Sequence, residues 1–251
     1  MTTTLVTGGN RGIGYAIVKV LSARLVSPTL IIGCRDIESG EESIKQLRTE
    51  GISVDLDVVR IDIEDDDSIR EAVTSIGQKY GKLDYLVNNA ARVTRPESDR
   101  LEDARRAANE VYNNGIASNE IVTRAFLPIL RRSPNPRVIM VSSARGSIGL
   151  TAARELPRAA VVSYCVSKAA LNMLMMHLQL EEEAKGGEDI MVEYWAVSPG
   201  HCRTAFNGFR GNKEPEEGAE VVARLLEAKR GEFSPGTFWQ CEDGELKEVK
   251  W

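Results

Sequence analysis

Short apolar runs alternate along this chain with longer stretches in which apolar residues recur at helical spacing. The apolar runs predict strands at 3–7, 29–33, 54–61, 83–87, 137–141 and 191–197. The longer stretches predict helices at 12–25, 38–50, 67–80, 101–130, 162–183 and 216–229. Several strand runs are apolar throughout instead of alternating, which is typical of strands covered on both faces. Their alternation with helices predicts an α/β fold built on one doubly wound parallel sheet.

Two segments interrupt this regular pattern. The segment 92–110 is rich in charged residues and predicts an exposed loop that leads into a helix. The segment 201–215 is rich in glycine and polar residues and predicts a mobile flap. Because 251 residues suit one α/β domain, we expect 1–251 to fold as a single unit in which these segments cover a binding site.

The composition narrows the class of protein. The chain is 42% apolar and 27% charged, as is usual for a soluble globular protein. Its formal charge of −5, without a basic tract, argues against a nucleic-acid or acidic-membrane partner. No long apolar run predicts a membrane span, and the first strand begins too early to leave room for a signal peptide. Four scattered cysteines and two separate histidines predict reduced thiols, a cytoplasmic setting and no metal site.

A glycine-rich turn links the first strand to the first helix. It consists of Gly8, Gly9, Asn10, Arg11, Gly12, Ile13 and Gly14. Glycines let the backbone turn sharply and approach a pyrophosphate, and the N-terminus of the following helix attracts the negative charge. The strand–turn–helix context predicts a Rossmann-type dinucleotide site in which this turn cradles the phosphates.

The end of the second strand indicates which dinucleotide is bound. An acid that grips the ribose 2′-hydroxyl of NAD(H) is expected there, but Cys34 occupies the position and Arg35 follows it. Arg11 and Arg35 would together suit a 2′-phosphate, which a carboxylate would repel. The sequence therefore predicts NADP(H). The alternative is that both arginines are solvated and Asp36 binds the ribose.

Tyr164 and Lys168 are four residues apart within a predicted helix, so their side chains share one face. An ammonium beside a phenol favours the phenolate and makes proton transfer easier. Such a tyrosine can exchange a proton with an alcohol or carbonyl. Alone, this pair is more often an ordinary surface pair, and its meaning depends on the motifs around it.

Five motifs stand in a fixed order along the chain. They are the glycine-rich turn, Asn88-Asn89-Ala90, Ser142-Ser143, the Tyr164–Lys168 pair and Ser198-Pro199-Gly200. Together they resemble the short-chain dehydrogenase/reductase family, over nearly the whole length. The Cys-Arg-Asp sequence after the second strand and the final Trp251 resemble its carbonyl-reductase-like branch.

The resemblance implies a role for each site residue. Ser143 would hydrogen-bond the substrate oxygen, with Ser142 as the alternative one register position away. Tyr164 would give that oxygen its proton, while Lys168 would lower the pKa of the phenol and bind the nicotinamide ribose. Further cofactor contacts would be made by Asp62 and Ile63 at the adenine, Asn89 and Ala90 along the cofactor, and Pro199, Gly200 and Thr204 at the carboxamide.

The chain departs from the family at the fourth catalytic position, an asparagine on the long helix before the fifth strand. Counting back from Pro128 places Gly115 there, with Asn114 one residue earlier. A one-residue bulge would let Asn114 serve through a water relay, and we assign the position to it. The segment 150–162 is longer than in compact members and would form a wall over the substrate. It abuts helices through which many members dimerise, so a homodimer and a homotetramer both remain open.

The function implied by the resemblance is NADPH-dependent reduction of a ketone or aldehyde, reversible as alcohol oxidation. Its partner would be a small-molecule carbonyl or alcohol, with no nucleic acid or membrane. Two alternatives remain. One is a tailoring reductase of secondary metabolism acting on a larger conjugated carbonyl or imine. The other is a non-catalytic NADP-binding sensor.

Overall fold

The structure is a computed structural model that describes residues 1–186 and 190–251, and a single sheet forms its centre. Its strands are β1 (Thr2–Thr7), β2 (Pro28–Cys34), β3 (Asp55–Arg60), β4 (Tyr85–Asn88), β5 (Arg137–Val141), β6 (Glu193–Ser198), β7 (Thr237–Glu242) and β8 (Glu245–Glu248). The strand order is β3-β2-β1-β4-β5-β6-β7-β8. All neighbours pair in parallel except β7 and β8, which form an antiparallel hairpin. The predicted doubly wound parallel sheet is confirmed.

Helices cover both faces of the sheet. They are α1 (Gly12–Arg24), α2 (Ile37–Thr49), α3 (Asp66–Tyr80), α4 (Leu101–Tyr112), α5 (Ser118–Leu130), α6 (Ile148–Ala152), α7 (Val162–Lys185) and α8 (Pro215–Glu227). One apolar core lies between the sheet and α3, α5 and α7, and a second lies between the sheet and α1 and α8. Strands β1, β2, β4, β5 and β6 are almost wholly buried, which explains their unbroken apolar runs.

The single helix predicted over 101–130 is wrong in one respect. It is divided by a π-helical turn, Asn113–Ala117, which joins α4 to α5. The turn packs closely on α7, because a Cβ atom at Gly115 would lie 3.0 Å from the Ser167 side chain. Such turns insert one extra residue into a helix and shift the register of the side chains that follow.

The hairpin β7–β8 was not predicted, and its burial pattern explains why. In β7 only Phe238 and Cys241 are buried, and β8 is largely exposed. A strand at the edge of the sheet is covered on one side at most, so it has no continuous apolar run.

Residues at the C-terminal end of the chain close over the segment that follows β5. The main-chain N–H of Gly149 donates to the carbonyl of Trp251 at 2.5 Å. The Ser147 hydroxyl donates to the carbonyl of Lys250 at 2.6 Å. The indole of Trp251 stacks on Phe238 with ring centroids 5.8 Å apart. The start of α6 is therefore held by residues about a hundred positions later in the chain.

Across the two described ranges, no helix has both the length and the apolar character needed to span a membrane.

Candidate active site

The glycine-rich turn lies where the strand order reverses, between β1 and β4, which is where open α/β sheets bind ligands. Gly8 and Gly12 have φ values of +66° and +57°, a region that glycine adopts without strain. Gly14 serves close packing, since a Cβ atom there would overlap the carbonyl oxygen of Gly8 and lie 2.8 Å from its carbon. A Cβ atom at Gly12 would make an ordinary 3.8 Å contact with the Thr204 side chain. This shape fits a dinucleotide pyrophosphate at the N-terminus of α1.

We expect Gly14→Ala to weaken NADPH binding at least about 10-fold. The added methyl group would push α1 away from the turn, and this overpacking should also lower the free energy of unfolding by about 1–3 kcal/mol. Fluorescence titration with NADPH and urea unfolding would measure both effects. Gly77→Ala in α3 is the control, because its Cβ would make an ordinary 3.4 Å contact with Ile129. Equal NADPH affinity in the two variants would contradict the predicted cradle.

The end of β4 is tied directly to this turn. The amide of Asn89 donates to the carbonyl of Thr7 at 2.8 Å. The main-chain N–H groups of Asn89 and Ala90 both donate to the Thr7 hydroxyl, at 2.9 and 3.0 Å. Asn88 points the other way and donates to Thr123 on α5 at 2.8 Å. Asn89 and Ala90 therefore border the predicted cofactor groove, whereas Asn88 braces the sheet against a helix.

The two arginines predicted to face a 2′-phosphate are both exposed. Within residues 1–186 and 190–251, neither Arg11 nor Arg35 forms an ion pair with a carboxylate. Asp36 accepts a hydrogen bond from the Glu38 N–H at 3.1 Å and caps α2. Cys34 is buried and directs its thiol at the Asp36 carbonyl. The carboxylate that could have bound a ribose is thus engaged in a helix cap.

Three predicted catalytic side chains converge beyond β5. Ser142 is buried and donates to the Lys168 carbonyl at 3.3 Å, so the alternative serine faces inward. The Ser143 hydroxyl accepts from the Arg145 N–H at 3.2 Å and lies close enough to the phenol of Tyr164 to influence its pKa. The ammonium of Lys168 lies 5.8 Å from the Tyr164 ring centroid and donates to the Val141 carbonyl at 2.7 Å.

Burial controls the protonation of the Tyr164–Lys168 pair. It raises the pKa of Tyr164 to about 12, against opposing contributions from the Ser143 hydrogen bond and the Arg145 charge. It also lowers the pKa of Lys168 to about 8. Removal from water penalises the phenolate more strongly than the Ser143 contact and the Arg145 charge favour it. The lowering of the phenol pKa by Lys168 remains a prediction.

The π-helical turn supplies the bulge that the assignment of Asn114 required. Asn114 is buried, and its side-chain oxygen accepts from the Arg92 N–H at 2.9 Å. Its amide donates to Glu64 at 3.1 Å, and its carbonyl accepts from the Asn119 amide at 3.0 Å. The side chain thus joins the β3–α3 turn to the β4–α4 loop, and its role in a water relay remains a prediction.

The carboxylate of Glu64 joins the β3–α3 turn to the π-helical turn and to the β4–α4 loop. It accepts from Asn113 at 3.1 Å as well as from Asn114, and lies 3.4 Å from Arg92. Arg92 in turn pairs with Glu110 on α4 at 2.7 Å. Arg92 therefore ties the start of the charged segment 92–110 both to the β3–α3 turn and to α4.

The remaining predicted cofactor residues lie at the same edge of the sheet. Asp62 follows β3, its main-chain N–H donates to the Ser68 hydroxyl at 2.9 Å, and Ile63 beside it is buried. Pro199 is buried, and Gly200 has a φ of +81° at the end of β6. Their contacts with the adenine and the carboxamide remain predictions.

The segment 201–215 is a loop closed at its base. Cys202 and Lys213 form a parallel bridge, and the ammonium of Lys213 donates to the Cys241 carbonyl and lies 3.2 Å from Glu242. Beyond the base, Phe206 approaches Tyr164 with ring centroids 5.8 Å apart, and it is 53% exposed. The loop thus places an aromatic ring directly over the predicted proton donor.

Three residues near the site escaped sequence reasoning: Glu64, Arg145 and Phe206. Arg145 follows Ser143 by two positions in a 3₁₀ turn, Ala144–Gly146. Its closeness in sequence to Ser143 could therefore have marked it as a residue near the site. Glu64 and Phe206 belong to a turn and a loop whose paths depend on tertiary packing. Among the described residues no group of three or more histidine, cysteine or acidic side chains forms a candidate metal site.

Comparisons with known proteins agree with this geometry. Residues 2–215 match the family model described as short chain dehydrogenase. A short-chain dehydrogenase/reductase of Aspergillus fumigatus is 39% identical over 98% of this chain and 96% of its own. Human carbonyl reductase [NADPH] 1 is 30% identical over 88% of this chain and 89% of its own. The crystal structure of NADPH-bound carbonyl reductase from chicken fatty liver matches with a TM-score of 0.76 at 27% identity, covering 95% of each chain.

Proposed function

This chain belongs to the short-chain dehydrogenase/reductase family, and from that premise we propose that it uses NADPH to reduce a ketone or aldehyde, reversibly with alcohol oxidation. The observation that carries the proposal is the convergence of Ser143, Tyr164 and Lys168 at the same carboxyl edge of the sheet as the glycine-rich turn. A pure binding protein has no need of a serine, a tyrosine and a lysine gathered at this point. The carbonyl reductases among its relatives and structural neighbours support both the reaction and NADP(H) as the cofactor.

The nicotinamide, when bound, supplies the hydride, and the protein supplies position and the proton. The Ser143 hydroxyl would hydrogen-bond the substrate oxygen and hold it against the phenol. Tyr164 would donate its proton to that oxygen as negative charge develops, a role suited to a pKa of about 12, because the phenol stays protonated at neutral pH. Lys168, with a pKa of about 8, is mostly cationic at pH 7 and stabilises the tyrosinate that remains.

Preference for NADPH over NADH is proposed to depend on Arg35 and Arg11. We expect Arg35→Ala to weaken NADPH binding by about 10- to 100-fold, because a charge-assisted, bidentate contact with the 2′-phosphate is lost. NADH affinity should change by less than about twofold. Titration of each nucleotide against wild type, Arg35→Ala and the exposed control Lys45→Ala measures the difference. An equal loss for both nucleotides would place Arg35 outside the 2′-phosphate site.

The proposed activity is tested by following NADPH absorbance with a panel of ketones and aldehydes. Oxidation of NADPH that depends on one or more panel members supports the reductase. Tight NADPH binding together with no oxidation on any small or polycyclic carbonyl would favour the non-catalytic sensor instead.

A further inference from the structure

The side chain of Arg145 has no role in the reaction described so far, yet it lies beside the catalytic tyrosine. Its 3₁₀ turn is wedged against the catalytic turn of α7, since a Cβ atom at Gly146 would lie 2.7 Å from the carbonyl carbon of Lys168. The guanidinium donates to the Pro157 carbonyl at 2.7 Å and also reaches Cys165, next to Tyr164. Burial raises the pKa of both Tyr164 and Cys165, and the charge of Arg145 opposes that rise at each.

Among the described residues, Arg145 has no carboxylate partner. Other arginines of the loops at this edge of the sheet do have one: Arg92 pairs with Glu110 at 2.7 Å and Arg203 pairs with Glu214 at 2.8 Å. No carboxylate of the described residues lies within 4.0 Å of the Arg145 guanidinium. A guanidinium presents five N–H donors, and the contacts with Pro157 and Cys165 leave donors for a further acceptor.

The charge of the surrounding segments favours an anionic acceptor. The chain has a formal charge of −5, but the segments 150–162 and 201–215 together carry five basic and two acidic side chains. A mouth lined by one sign of charge raises the local concentration of ligands of the opposite sign. The same mouth offers apolar surface, because Phe206, Phe209 and Ile148 are all more than half exposed.

We propose that Arg145 binds a carboxylate on the carbonyl substrate and so sets the specificity of the enzyme for apolar or aromatic keto acids. The carboxylate would pair with the guanidinium, the reactive C=O would face Ser143 and Tyr164, and the apolar body would lie against Phe206. This inference rests on the proposed reductase function, of which it names the substrate class. In the competing role, Arg145 only fastens the segment 150–162 through the carbonyl of Pro157.

The kinetic test uses 3- and 4-acetylbenzoate and their methyl esters, which differ only in the charge. The wild-type enzyme should reduce an acid with a kcat/KM at least about 10-fold above that of its ester. Arg145→Met should lower kcat/KM for the acid by about 10- to 100-fold and for the ester by less than about threefold. Arg158→Met, which removes an exposed arginine from the same wall, is the matched control. Equal losses for acid and ester, or no wild-type preference for the acid, would overturn the proposal.

A binding measurement separates this inference from the reductase function. Calorimetric titration of the NADP⁺-loaded protein with 4-tert-butylbenzoate should show binding that Arg145→Met weakens at least about 10-fold. The neutral 4-tert-butylbenzamide should bind wild type and variant equally. Arg145-dependent binding without reduction of any carbonyl would uphold the carboxylate site and refute the reductase. Reduction of the esters with no Arg145-dependent carboxylate binding would uphold the reductase and refute the carboxylate site.

Discussion

Tyr164→Phe is expected to lower kcat for carbonyl reduction by about 10²- to 10⁴-fold, the usual contribution of a positioned general acid. The variant removes one hydroxyl and keeps the ring that packs against Phe206 at 5.8 Å between centroids. NADPH affinity should therefore remain within about twofold of wild type, since the hydroxyl lost is the proton donor and not the wall of the groove. Single-turnover absorbance measurements with saturating NADPH and carbonyl would isolate the chemical step.

Tyr80→Phe is the appropriate control for this variant. Tyr80 also loses a hydrogen bond, to Asp57 at 2.6 Å, but it lies on α3 away from the site. Its turnover should equal that of wild type. If Tyr164→Phe also turned over at the wild-type rate, another group would be the proton donor and the proposed mechanism would fail.

Lys168→Met is expected to lose activity and gain stability at neutral pH. Burial lowers the pKa of Lys168 from its ordinary 10.5 to about 8. A shift of that size means that the folded state at pH 7 is destabilised by about 3 kcal/mol through holding the cation. The variant leaves the Val141 carbonyl without its partner, which costs about 1–3 kcal/mol. The net result should be a free energy of unfolding that rises by about 1 kcal/mol.

The stability difference between Lys168→Met and wild type should change with pH in a definite direction. Between pH 8 and 10.5 the unfolded lysine still binds a proton that the folded one has released, so wild-type stability rises with pH over that range. The advantage of Lys168→Met should shrink above pH 8 and reverse at about pH 9. Urea unfolding of the cofactor-free proteins from pH 7 to 10 measures the difference in the free energy of unfolding between variant and wild type. Lys45→Met on the surface of α2 is the control. A stability difference that stayed constant over this range would show that Lys168 is not the group responsible.

Activity in Lys168→Met should fall by about 10²-fold or more, because the cation that stabilises the tyrosinate is absent. A gain in stability coupled to a loss of turnover is typical of a residue kept for chemistry. Replacement of a purely structural lysine would instead lower the free energy of unfolding and leave turnover unchanged.

Much of the fold was predictable because its central strands are buried on both faces. The run Leu30–Ile32 in β2 and the run Val138–Val141 in β5 have no polar residue to obscure them. The hairpin β7–β8 was not predictable in the same way, because Glu245, Lys247 and Glu248 face solvent at the sheet edge. At this edge, β8 forms because its main chain pairs with β7, and its apolar content does not predict it.

The candidate site also has a part that the sequence predicts and a part that it does not. The glycine-rich turn and the Tyr164–Lys168 pair are local in sequence, and spacing alone brings their members together. The link from Glu64 to Asn114 spans 50 positions, and the approach of Phe206 to Tyr164 depends on how one loop folds back. Sequence spacing carries no information on such contacts, so only tertiary structure shows that these side chains meet.

The clasp of Lys250 and Trp251 on Ser147 and Gly149 has a consequence for synthesis of the protein. The N-terminal part of a chain emerges from the ribosome first, and strands β1 to β6 are available for pairing well before Lys250 and Trp251 emerge. The start of α6, just beyond Ser143, must wait for those residues. We therefore expect a chain under synthesis to form its nucleotide-binding half first and to become a competent catalyst only after residues 250 and 251 have emerged.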